Sequence, residues 1–80
     1  MKHARKDYDR IQAPTDLIPE DEPVFLLRAQ DTIAPDVVNA WADLAEQSSA
    51  APNIIEAARK QADAMVDWQK EHGSKIPDMP

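Results

Sequence analysis

One glycine and two prolines constrain this 80-residue chain more than any other feature, because they punctuate its second half into two helices. Pro35 has the fixed φ and missing N–H that suit a first helical position, and Asp36 complements the positive end of the helix dipole. Val37, Trp41 and Leu44 then recur at intervals of four and three, with Val38 and Ala45 alongside. This spacing predicts a helix of about three turns with that stripe on the core and Asn39, Asp43 and Glu46 in water. Thr32 or Ala34 is the expected N-cap, with Asp31 in a capping role. The stretch from Gln47 to Ala51 adds no large apolar residue and runs into Pro52, which marks a break.

Asn53 with Glu56 three residues later has the form of a capping box. Ile54, Ile55, Ala58, Ala62, Met65, Val66 and Trp68 follow a helical stripe beyond it. Lys70 and His72 place positive charge in the last turn, and Gly73 stands where a left-handed C-terminal cap is wanted. The second helix is therefore expected from Asn53 to His72. A short connection between two such helices predicts an antiparallel hairpin. Ala58 and Ala62 would let the helices approach closely, with Trp41 or Trp68 filling the space above them.

A chain this short is one domain at most, and it buries only about 60% of its unfolded surface. There is no cysteine, so disulfides, zinc ribbons and thiol chemistry are excluded, and a reducing cytosol fits best. No apolar run reaches a membrane span of about 18 residues, and the basic N-terminus lacks the apolar stretch of a signal peptide. Residues 1–22 are sparsely apolar and densely charged, which predicts a mostly disordered arm. Its basic start is expected to be a solvated tail, and Leu17, Ile18 and Pro19 form a small apolar island that can dock. Pro23 opens the run Val24, Phe25, Leu26, Leu27, which reads as a strand, with helix as the rival. As a strand it has no evident partner in the chain. It then either pairs with a second copy or another protein, or lies extended with one edge in water. The expected fold is mainly α: a small helical domain over 23–76, in which one short strand or extended segment precedes an antiparallel helix hairpin, after a mostly disordered arm over 1–22. Ile76 is expected to fold back on the core, and residues 77–80 form a tail.

The constellations that carry chemistry are missing. His3 and His72 stand at opposite ends, and Glu20, Asp21 and Glu22 lack the turn glycine or frame of a cation site. Ser48, Ser49 and Ser74 have no histidine fixed beside them, and no glycine-rich phosphate loop exists. Asp63 and Asp67 share the helix face opposite the apolar stripe and are read as solubilising charge. No catalytic residue, cofactor or metal is expected. The net charge is −6; residues 1–10 hold four cations against two carboxylates, leaving −8 on the rest. An acidic body repels phosphate backbones and anionic lipid, so neither direct nucleic-acid binding nor membrane binding is expected. The candidate partner-binding residues are Val24, Phe25, Leu26, Arg28, Gln30 and Trp68. Trp41 is assigned to the core, whereas Trp68, near a helix end, suits core and contact surface equally.

The string Ile18-Pro-Glu-Asp-Glu-Pro-Val-Phe-Leu-Leu-Arg-Ala-Gln-Asp31, followed by Ala34-Pro35 and Trp41-Ala42, resembles a family of small proteins encoded by bacteriophages and prophages. The resemblance covers residues 18 to about 70. It implies a genomic setting in a bacterial cytoplasm and carries no biochemical activity or catalytic residue with it. The expected function is a non-enzymatic interaction module that binds a host or phage protein or forms a homodimer. An acidic decoy occupying a nucleic-acid-binding surface of a host protein is the alternative.

Overall fold

The computed structural model describes residues 1–8 and 17–78; expectations for residues 9–16 and 79–80 lie outside them. The fold is mainly helical, with a short strand pair ahead of two helices. The chain forms two compact units, Met1–Leu27 with Asp78–Pro80, and Arg28–Pro77.

In the first unit, β1 (Lys2–His3) pairs in parallel with β2 (Pro23–Val24), Lys2 opposite Pro23 and His3 opposite Val24. The expected strand thus shrinks to two residues, and its partner is the N-terminal arm itself. Phe25, Leu26 and Leu27 follow outside any strand. A 3₁₀ turn, Lys6–Tyr8, buries the Tyr8 ring. Arg5 organises this segment: it donates two hydrogen bonds to Asp7 (3.0 and 2.8 Å), reaches Asp78, and lies 4.8 Å over the Tyr8 ring. The hydrogen bond to Asp7, reinforced by the charges around it, raises the guanidinium pKa above its ordinary value. Within the basic start a local ion pair and a cation–π contact join Arg5 to Asp7 and Tyr8, while Lys2 and Lys6 are exposed, and composition alone does not register such pairings. Leu17, by contrast, is almost fully exposed.

The second unit is the helix hairpin. Its α1 spans Ala34–Gln47 and its α2 spans Pro52–His72, lengths of about 21 and 32 Å at 1.5 Å per residue. Pro35 and Pro52 fall at the first positions of their helices, where a missing N–H costs nothing. Neither helix has a side-chain N-cap. The N-cap positions are Ile33 and Ala51, so the caps expected from Thr32, Asp31 and the Asn53–Glu56 box are not formed. Asn53 lies inside α2 because Pro52 already starts it, and Glu56 pairs with Lys60 instead, at 3.1 Å. α1 stops without a glycine: Ser49 takes φ +62°, and its N–H and that of Ala50 bond back to Glu46 and Ala45. α2 ends at Gly73 as expected, but not in the left-handed helical conformation: its φ of +80° and ψ of 177° place it in a region open essentially to glycine alone.

The helices are antiparallel, since Arg59 of α2 reaches Asp43 of α1 while Gln69 reaches the segment just before α1. Their contact is built from small residues. Ala34, Ala42 and Ala62 are fully buried, Met65 nearly so, and Val38, Ala45 and Ala58 half-buried. The stripe expected to form the core is turned outward instead: Val37, Trp41 and Leu44 remain 38%, 50% and 62% exposed. The assignment of Trp41 to the core is thereby corrected. An alanine seam lets two helices approach more closely than a tryptophan and leucine ridge would, and only one of the two adjacent stripes can face the partner helix. Beyond Gly73 the chain returns alongside residues 30–32, with Thr32 N–H donating to the Lys75 carbonyl and Lys75 N–H to the Gln30 carbonyl, both 2.8 Å. Ile76 is three-quarters exposed and does not fold onto the core.

Candidate interaction face

Each residue of an α-helix turns about 100° from the last, so the buried seam divides each helix of the hairpin into two flanks. On one flank stand Asp43 and Glu46 of α1 and Arg59 of α2. Arg59 bridges both acids, at 2.9 and 3.6 Å, which fixes these flanks as one side of the hairpin. The hydrogen bond to Asp43, with the attraction of both acids, raises the Arg59 pKa above its ordinary value. An open groove of about 430 Å³ beside this cluster is lined by Pro52 and Ile55 with Glu46, Glu56, Arg59 and Lys60.

The opposite flanks carry Val37, Trp41 and Leu44 on α1 and Ile54 and Trp68 on α2. Ile54 and Trp68 are 48% and 39% exposed. Between and beside them on α2 stand Ala57, Gln61 and Ala64, all exposed. No Asp, Glu, Lys or Arg occupies the helix positions of this face, and Lys75 lies at its end, lining one depression with Trp68. The face therefore combines both tryptophans of the chain with two branched aliphatic residues and a valine, around a single neutral amide. Trp68 stacks on His72, ring centroids 4.3 Å apart and planes 16° from parallel, and the His72 Nδ1 lies 3.0 Å from the Trp68 carbonyl oxygen. The stack fixes the indole at the end of the face, one turn before the helix ends.

The expected partner-binding residues fall in both units. Val24, Phe25 and Leu26 belong to the first, where Val24 and Phe25 line a depression with Lys2 and His3, and Phe25 is 73% exposed. Arg28, Gln30 and Trp68 belong to the second. Gln30 and Trp68 meet at one depression beside Gly73, whereas Arg28 is exposed and its carbonyl accepts from Asp31 N–H. Gln30 spends its carbonyl on Lys75, so its backbone role is structural. Sequence reasoning missed Val37, Trp41, Leu44 and Ile54 as surface, because it placed all four on the core stripe.

It also missed Gln69. This side chain sits on the buried line of α2 and donates to the carbonyls of Ala29 (2.8 Å) and Asp31 (3.0 Å), fastening the segment before α1 to the end of α2. A polar residue four positions beyond Met65, in step with Ala62 and Met65, was the available signal. Asp63 and Asp67 are exposed, away from the seam, as their spacing predicts. Among the described residues no group of three or more histidines and acids converges, and no helix is long and apolar enough to cross a membrane. No protein-family model, no curated protein and no solved structure matches the chain.

Proposed function

We propose that this chain is a non-enzymatic protein-interaction module, an accessory protein of phage or prophage origin acting in a bacterial cytoplasm, and that it binds through the uncharged face of its helix hairpin. The observation that carries this reading is the exposure of Trp41, Leu44, Val37, Ile54 and Trp68 together on one charge-free face. Contiguous apolar patches of several hundred Å² mark interaction sites more often than chance, and tryptophan is the residue most enriched among binding hot spots. The acidic-decoy alternative draws less support. Asp43, Glu46 and Glu56 already pair with Arg59 and Lys60, so those acids are not presented as an unneutralised array. The strand-edge route is also weakened, because β2 ends at Val24 and already has β1 beside it.

The test is capture of stoichiometric partners on the immobilised protein from bacterial lysate, at low and high salt, with wild type beside Leu44→Glu. An apolar interface keeps its partner at high salt and loses it in the variant. A partner released by salt and indifferent to Leu44→Glu would instead establish the decoy.

A further inference from the structure

We infer that the occupant of this face is a second copy of the same chain, so that two hairpins close into a four-helix bundle; this rests on the interaction reading above. Among the described residues no large side chain is fully buried, and the buried residues of the seam are alanines, Pro35 and one methionine, with Val38 only half-buried. Face-to-face pairing supplies the missing layer, since Trp41, Leu44, Ile54 and Trp68 of two copies would form the central core that four-helix bundles build from large apolar residues.

The exposed parts of these side chains with Val37 and the flanking alanines amount to roughly 500–700 Å² per copy, against about 800 Å² per partner for a standard stable interface and its polar rim. Two copies of a −6 chain repel unless their charges stay apart, and here the Asp43–Arg59–Glu46 cluster lies on the far side while the helix positions of the face hold no charge.

Gln61 gives the pairing an address. It lies at the middle of α2 and is the one polar residue between Ile54 and Trp68 on this face. With the two-fold axis running across the helices at the level of Gln61, α2 packs on its own copy and Gln61 meets Gln61, and a primary amide, both donor and acceptor, is complementary to itself. A neutral amide at the centre of an apolar seam also fixes register, as polar residues do in coiled coils.

The experiment is sedimentation velocity on the full-length chain over a range of concentrations, with helicity followed by circular dichroism. The variants are Gln61→Glu, Gln61→Lys and an equal mixture of the two. Wild type is expected to be dimeric. Each single variant should self-associate at least about tenfold more weakly, because like charges meet at the axis. The mixture should recover a dimer, because a glutamate then faces a lysine. Charge complementation between copies of one position requires that position to meet itself, so partner binding elsewhere cannot imitate it. A monomeric wild type overturns the inference, as does a dimer indifferent to both charges or a mixture that stays monomeric. A monomeric wild type that still loses a lysate partner on Leu44→Glu would overturn the dimer and leave the interaction reading standing. Loss of both would remove the two together.

Discussion

Trp41 and Ala42 are neighbours in sequence and opposites in the hairpin: one is half exposed, the other completely buried. The same contrast separates the alanine seam from the apolar face. Both are apolar stripes at helical spacing on the same helices, yet one closes the hairpin and the other remains available. Apolar character therefore does not decide which stripe packs inward. Side-chain size does, because helix pairs gain dispersion contacts along their whole length when small residues let the backbones approach.

The most forceful way to break this contrast is to enlarge the seam. Ala62→Leu is expected to destabilise the hairpin by about 2–3 kcal/mol, since a closed contact has no room for three further carbons. Asp67→Leu, exposed and away from both the seam and the apolar face, should stay within about 0.5 kcal/mol. Thermal melts of the two variants side by side measure the difference, and equal effects would mean that the seam is not where the helices meet.

Gln69→Ala comes next. It leaves two partly buried carbonyls without their donor, an expected loss of about 1–3 kcal/mol. Hydrogen exchange should localise the effect, with faster exchange at the Thr32 and Lys75 amides and little change at the middle of α1. A smaller change of opposite sign is expected at the end of α1. Ser49→Gly should stabilise the chain by about 0.5–1 kcal/mol, because a serine there holds a positive φ that glycine adopts freely. A chemical denaturation midpoint that falls instead would show that the serine side chain compensates for its backbone.

The charged face should contribute least. The Arg59 pKa is raised, so its charge persists at every pH at which the protein is handled, and any stabilisation it gives would fade only above its ordinary value. Arg59→Ala is therefore expected to shift the melting temperature only slightly at low salt and not measurably at high salt, as exposed ion pairs do. A large, salt-independent loss would reverse the ranking of the two faces.

The helix limits were legible from single residues. Pro35, Pro52 and Gly73 lie where local backbone rules put them, and the spans they imply differ from the observed helices by one or two residues. The capping residues were less legible, because a capping box describes a possible hydrogen bond and Pro52 had already claimed the first position of α2. The uncharged face was half legible. Trp68 was open equally to core and surface because it stands near a helix end, whereas Trp41 stands at mid-helix in an apolar stripe and resembled core. The contacts of Arg5 were not legible at all, since they join it to Asp7, Tyr8 and Asp78, the last more than seventy positions away.

Sequence by itself determined that this chain forms two amphipathic helices, where they begin and end, and that its charge avoids part of their surface. These follow from backbone dihedrals and a 3.6-residue period, which act within a few residues. Only the tertiary structure decided which apolar stripe turns inward. Ala34, Val38, Ala42 and Ala45 and the neighbouring Val37, Trp41 and Leu44 share one period and one polarity, and the choice between them exists only once a second helix is there to pack against.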